Sequence, residues 1–507
     1  MASEQSIIRN YAKTGIVLDE LAISNRSGNN ETPDPSIVDT DDKEAGYLKP
    51  IVFINGYFAD RYLIDFHLDM NGILPVVNFK FYTGGSTFLT VNYPKDGDII
   101  SIYIRSNVSV YKPIRMDFNV LSVDSNVSTD SQGNILVFSI MGECRIPGFY
   151  ADVCKAYPNR TSRDALFAVS QDLDLGFATN DSSLNDSMTW ICPYISYYNF
   201  IKEITKSSYK DDRSFYATWV DAYYNLNFVN LNNQLEAPDI NQVVKVIPAS
   251  GRGQANDTAF SGTEIDPIET FLTVTNDPLF AGYPFYINGY TLLSEAGNVT
   301  NGAGYVQVVQ LYNDNSQYQR SGAEKEITYS IQATTTESIR DNMVLQRGRP
   351  SEKEYLKEVR TKWMGILDSG ENGSVHENYL QARVQNPLNI SDVTKFTLQV
   401  ETLSYFPGFY RGQAIPVVIY TTEKGLRMEN TGKSSNQNSK ESDGKIIDQF
   451  LSGQYILMGY TVSWNKKKGF YQILNLCKRE WILNSAGTMP KAFPINVVSA
   501  SIKQSDR

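Results

Sequence analysis

Histidine is nearly missing. The 507-residue chain holds two, His67 and His376. One lies in IDFHLDM and the other in GENGSVHENY, and neither has a metal partner at helical or strand spacing. Zinc sites draw on clustered His and Cys, and nucleophilic triads usually need a His base, so both chemistries are excluded. Cysteine is scarce too. Cys144, Cys154, Cys192 and Cys477 are scattered, with no CxxC pair, and read as reduced, buried thiols. No apolar run is long enough to span a membrane. The start, MASEQSIIRNYAKTG, has no basic region followed by an apolar one, so no signal peptide is expected. Basic residues are outnumbered, 46 Lys and Arg against 56 Asp and Glu, for a net charge of -10. That balance does not favour gripping a phosphate backbone, which argues against sequence-specific nucleic-acid binding. There is no nucleotide-binding glycine loop. Glycosidase chemistry needs only two carboxylates, but with so many acids no pair stands out. No catalytic, cofactor-binding or metal-binding residue is assigned, and no cofactor is expected.

What the chain does have is folding material. It is 41% apolar and 20% charged, and long enough for about three domains. Residues 1–47, centred on SNRSGNNETPDPSIVDTDDKE, form a polar, acidic, extended or loosely held arm. From residue 48 strand patterns take over. IVFINGYFADRYLIDFHLDM supplies one or two strands, and STFLTVNY another. IISIYIR (99–105) follows the turn Pro94-Lys95-Asp96-Gly97, then come IRMDFNVLSV (114–123) and NILVFSIMGEC (134–144). Ile114, Met116, Phe118 and Val120 alternate onto one inward face, predicting an antiparallel meander or small barrel.

A helix-and-strand region follows at 151–235. TSRDALFAVSQDLDLG reads as a helix with Thr161 as N-cap, an apolar stripe of Leu166, Val169 and Leu173, and Gly176 as its stop. A second helix is predicted over 197–207, capped by Ser196, with Phe200, Ile201 and Ile204 on one face. SFYATWVD and YYNLNFVNL alternate as strands. The stretch 189–231 is loaded with Tyr and also holds two Trp and three Phe. These fall at helix-stripe and strand-alternating positions, which makes them core between helix and sheet rather than a sugar platform. Residues 236–325 look like a β-rich insertion. ITYSIQATTT reads as a strand and SEKEYLKEVRTKWMGIL as a charged helix near 352–367.

The opening pattern then returns. Pro407 and Gly412-Gln413-Ala414-Ile415 stand where Pro94 and Gly97-Asp98-Ile99-Ile100 stood. YILMGYTVSW (455–464) and FYQILNLCKREW (470–481) echo 114–123 and 134–144. The polar tract TGKSSNQNSKESDGK, around 431–445, reads as an exposed loop. The chain is therefore expected to be α+β, mostly β, with a first β unit at 48–150 and a second at 326–507.

The turn before IISIYIR, then TSRDALFAVSQDLDLGFATN, MTWICPYISYYNFIKEI and SFYATWVDAYYNLNFVN, and the ending LSGQYILMGYTVSWNKKKGFYQILNLCKREW, together resemble the central baseplate hub protein of contractile-tailed bacteriophages. The organisation is also similar to the N-terminal half of type VI secretion spike proteins. The resemblance covers about residues 50–230 and 390–485 and rests on order and style, not on a single motif. It implies two tube-like antiparallel β-barrel domains in one chain. It further implies a homotrimer whose six such domains join a sixfold tail tube to a threefold central spike around a DNA exit channel. The implied partners are the central spike protein, tail tube or tube-initiator proteins and baseplate wedge proteins. The genome would pass through without sequence-specific binding. The implied location is the virion tail baseplate, after synthesis in the host cytoplasm. The long 236–325 segment, the acidic arm and the 431–445 loop depart from compact family members.

Two rival readings remain open on the residues alone. One is a receptor- or carbohydrate-binding tail protein, which exposed aromatics in a shallow groove would favour. The other is a carboxylate-pair hydrolase acting on cell-wall polymer, which would need two acids facing one cleft.

Overall fold

The computed structural model describes residues 16–20, most of 49–104, 113–130 and 133–235. It also describes short strands between 272 and 368, most of 376–421, and residues 446–447 and 453–478. The 431–445 tract, STFLTVNY apart from its last residue, and most of the 236–325 segment lie outside the described residues.

The chain is mostly β, with large antiparallel sheets. Val17–Glu20 forms β1. It is followed by β2 (Ile51–Ile54), β3 (Leu63–Asp69), β4 (Val76–Thr83), β5 (Ile99–Ile104), β6 (Ile114–Asp130), β7 (Gly133–Cys144) and β8 (Asp152–Arg160). Helix α1 (Ser162–Asp172) leads to β9 (Gly176–Thr179) and β10 (Met188–Ser196). Helix α2 (Tyr197–Ser207) leads to β11 (Tyr216–Val220) and β12 (Asn225–Asn230). Further on come β13 (Tyr290–Ser294), α3 (Tyr379–Thr394), β14 (Phe396–Glu401), β15 (Ala414–Thr421), β16 (Gly453–Asn465) and β17 (Gly469–Cys477).

Helices α1 and α2 start where their caps require. The Thr161 hydroxyl accepts from Asp164 N–H at 3.2 Å, and that of Ser196 from Asn199 N–H at 3.4 Å. The stop of α1 differs from expectation. Asp174, at φ 49°, takes the left-handed residue, while Gly176 opens β9. Strand β9 is buried along its whole length and pairs in parallel with β12, giving the sheet order β1-β9-β12-β11. The arm is thus partly ordered: Val17 and Leu18 pair with Thr179 and Ala178, and Ile16 is fully buried. Part of the expected charged helix is a strand instead. Thr361–Asp368 pairs in parallel with Gln307–Asn313, because Trp363, Met364 and Ile366-Leu367 suit a pleated ladder as readily as a helix stripe.

The two β regions repeat each other strand for strand. In the first, β3, β4, β7, β6 and β5 lie side by side in that order; in the second, β13, β14, β17, β16 and β15 do the same. The register matches. Asn119 and Val120 pair with Glu143 and Gly142, and Ile456 and Leu457 with Cys477 and Leu476. Both long strands then bulge at the next step, between Val120 and Ser122 and between Leu457 and Gly459. Outward, Val76 and Val77 oppose Glu143 and Gly142 as Thr397 and Leu398 oppose Cys477 and Leu476. In each unit the same turn leads into the last strand of the row, β5 or β15. Asp98 N–H donates to Lys95 carbonyl and Gln413 N–H to Tyr410 carbonyl, both at 3.0 Å. Gly97 (φ 88°) and Gly412 (φ 81°) hold the left-handed third position that glycine accepts most easily.

The repeats are fused into one 15-stranded sheet. One hydrophobic cluster runs from Val52 through Phe118, Leu166, Phe200 and Phe228 to Leu476, joining both repeats and the central region.

Candidate assembly surface

One repeat docks on the other through β16. One edge of β16 carries β15 over Gly453–Ile456 and then β3 over Thr461–Asn465, while β17 covers the opposite edge. The register runs Thr461 to Asp69, Val462 to Leu68, Ser463 to His67 and Trp464 to Phe66. Phe66, Leu68, Val462 and Ser463 are fully buried there. His67 spans the joint, with Nδ1 2.9 Å from the Ser463 hydroxyl and Nε2 3.0 Å from Asp65. At the end of the joint, Met70 N–H donates to the Tyr460 carbonyl at 2.9 Å, and Asn475 Nδ2 to Asn71 Oδ1 at 2.8 Å.

The central region locks this joint. The Arg411 guanidinium donates to the carbonyls of Met70 and Gly72 and lies 4.9 Å from the Trp219 ring. Burial lowers its pKa to about 10. Asp221, itself buried, accepts from the N–H groups of Tyr223 and Asn225, from the amides of Asn225 and Asn227, and from the Tyr410 hydroxyl. A buried carboxylate held this fully is a rigid cross-link between elements. Helix α3, which the sequence reading did not find, adds a second lock. Asn386 Nδ2 lies within 3.2 Å of the carbonyls of Thr205, Lys206 and Ser208, the orphan acceptors at the end of α2.

The aromatic stretch is core. Phe215, Tyr216 and Phe228 are fully buried, and Trp190, Phe200 and Trp219 nearly so; Tyr194 is exposed, at 76%. Tyr198 and Tyr223 are half-buried. Cys144, Cys192 and Cys477 are buried free thiols, but Cys154 is exposed, because β8 faces solvent along most of its length.

Several buried or half-buried titratable groups are committed to structural bonds. Asp172 accepts from Lys155, Tyr157 and Tyr197. Desolvation pushes its carboxyl up, but those donors outweigh it and leave the pKa below the usual value, the wrong direction for a general acid. Burial pushes Asp186 up against bonds from Ser162 and the Tyr209 N–H, but this carboxyl is sealed from solvent. His376 stands against Ser207 carbonyl at 2.9 Å, and burial lowers its pKa. A cavity between Ile114, Tyr223, Tyr405 and Tyr460 measures about 10 Å³, room for roughly one water and no substrate. Among the described residues no cluster of His, Cys, Asp and Glu is arranged to hold a metal, and no helix is long and apolar enough to cross a membrane.

No family model and no curated protein sequence matches the chain. Solved structures similar to it include two tail proteins and a component of a type VI secretion system. The tail protein from Neisseria meningitidis MC58 is 11% identical, with a TM-score of 0.46 over 85% of this chain and 97% of that one. The 43 kDa tail protein of prophage MuSo2 from Shewanella oneidensis is 8% identical, with a TM-score of 0.44 over 85% of this chain and 98% of that one. An E. coli component of the type VI secretion system is 9% identical, with a TM-score of 0.37 over 87% of this chain and 80% of that one.

Proposed function

We propose that this chain is a non-enzymatic structural protein of a contractile tail. In this reading it is the baseplate hub, a symmetry adapter between a sixfold tube and a threefold spike that lines the channel through which DNA leaves. The carrying observation is the duplicated five-strand unit, whose turn, register and bulge recur within one chain. A tube with sixfold symmetry cannot seat on a threefold spike without a part that has both symmetries. Three copies of a chain with two alike units present six alike edges and still have a threefold axis. The acidic balance of the chain fits a channel that releases a polyanion instead of trapping it. The sequence resemblance to baseplate hubs points the same way. Spike, tube and wedge proteins are the partners of this reading, and the tail baseplate is its location.

Native mass of the purified chain, alone and with its tail partners, tests it. A closed trimer that immunogold labelling finds on the tail axis is expected. A monomer, or a chain absent from the tail axis, would overturn the assignment.

A further inference from the structure

The joint between the repeats ends on a reactive dipeptide. Asn71-Gly72 lies in the bend between β3 and β4, and both residues are exposed. An asparagine followed by glycine is prone to imide formation, because no Cβ keeps the next backbone nitrogen away from the side-chain carbonyl. This bend favours that attack. The Gly72 N–H donates to nothing among the described residues, so no ladder or turn holds the nucleophile. Asn475 Nδ2 donates to Asn71 Oδ1 at 2.8 Å, which polarises the carbonyl and stabilises the charge that collects on its oxygen. Both residues meet solvent, which supplies a base for the Gly72 proton and water for the later hydrolysis. The same side chain closes the joint. Asn71 N–H donates to Asp69 Oδ1 at 2.8 Å, and Asn71 Nδ2 donates to that oxygen as well and lies 3.4 Å from the Thr461 hydroxyl. A Cβ at Gly459 would collide with Asn71 Oδ1, so the side chain fits against bare backbone. Arg411 donates to the carbonyls of Met70 and Gly72 on either side. The amide of Asn71 thus offers a donor to Asp69 of the first repeat and an acceptor to Asn475 of the second.

We propose that Asn71 is a site of spontaneous deamidation, and that its conversion opens the end of the joint between β3 and β16. The Gly72 nitrogen, having given its proton to solvent, bonds to Asn71 Cγ. The Cγ–Nδ2 bond breaks and ammonia leaves with a proton from solvent, so the chain holds a cyclic imide. Water then opens the imide at either carbonyl, giving aspartate or isoaspartate. Aspartate puts a carboxylate oxygen where the Nδ2 donor faced Asp69. A hydrogen bond is lost and two like charges stand against each other. Isoaspartate instead routes the backbone through Cβ and Cγ, which lengthens it between the two carbonyls that Arg411 holds. The joint is firm in the newly folded chain and weakens as the chain ages.

The test follows the full chain over time at neutral and at mildly alkaline pH. Peptide mapping by mass spectrometry should show aspartate and isoaspartate accumulating in place of Asn71. Conversion should be faster at the higher pH, since the attacking nitrogen must lose its proton. The product, separated by its added negative charge on an ion-exchange column, should exchange the amide hydrogens of Met70 and Thr461–Asn465 on the order of tenfold faster than fresh chain. Asn71 that stays intact in the folded chain, while the same peptide converts in the urea-unfolded chain, would overturn the proposal. So would a purified product whose joint amides exchange as they do in fresh chain. Substitution separates the lost contact from general damage. Asn71→Asp should reproduce the fast hydrogen exchange without ageing. Adding Asp69→Asn to it again sets an amide donor against a carboxylate, with the partners reversed, and should bring exchange most of the way back. A double variant that exchanges as fast as Asn71→Asp alone would sink the opening mechanism, because the contact with Asp69 would then not be what conversion breaks.

Discussion

Trp219 is the residue on which the central region and the second repeat meet. It is 2% exposed, packs with Ile16, Val229, Tyr410 and Ile456, and lies beneath Arg411. Trp219→Ala removes that filling and should cost about 3–5 kcal/mol, seen as a large drop in thermal midpoint or as insoluble protein. The turn glycines allow a comparison within one molecule. A Cβ at Gly97 meets nothing within 4 Å, whereas one at Gly412 lies 3.0 Å from the Trp219 ring. Gly97→Ala should therefore cost only the left-handed backbone penalty, about 1–2 kcal/mol. Gly412→Ala adds overpacking and should cost about 1–3 kcal/mol more, measured by chemical denaturation of both variants. His376 supplies a pH dependence. Its folded pKa is depressed by burial, so below the unfolded value of about 6.5 the unfolded chain binds a proton that the folded chain refuses. Stability should fall as pH drops through about 6.5 and level off below the folded value. In His376→Gln the midpoint should fall less over that window; an identical pH profile would show that His376 carries no share of it.

At the level of elements, what could be read was what local chemistry decides. α2 and its Ser196 cap follow from a strong apolar stripe and a hydroxyl in place. The start of α1 follows in the same way, but its end does not. Which residue turns left-handed depended on β9 being drawn into the buried sheet, a tertiary demand that Gly176 does not announce. β4 was overlooked although VVNFKFYT alternates buried and open positions along its length. α3 was hidden for a different reason: YLQARVQNPLNISDVT has no clean stripe and carries Pro387 in its interior. That helix is held by its partners more than by propensity. Asn386 serves three carbonyls at the end of α2, and Gln385 reaches those of Asp211 and Ser214. Asn386→Ala leaves buried acceptors unserved and should cost about 1–3 kcal/mol. Faster amide exchange in both α2 and α3 would report the uncoupling, and exchange unchanged in α2 would contradict the capping role.

On the scale of the whole molecule, the repeat was legible in turn residues and strand order, since Gly97 and Gly412 are needed wherever this turn occurs. The assembly surface was not. Nothing in LIDFHLD says that its outer edge is spent on β16, because pairing between distant strands is set by register and not by composition. The same continuity shapes how the molecule unfolds. If the repeats were independent, each would melt by itself. They share a sheet through β3 and β16, and a single apolar cluster passes from Val52 to Leu476 by way of the central helices. Loss of either repeat would expose Phe66, Leu68, Val462 and Trp464 together. Calorimetry should therefore show one cooperative transition, with calorimetric and van't Hoff enthalpies in agreement for a given oligomeric state. Trp219→Ala should move that one transition bodily. Two transitions, only one of them shifted by the substitution, would mean that the joint is a contact between separately stable units and that the fused sheet contributes little to holding them together.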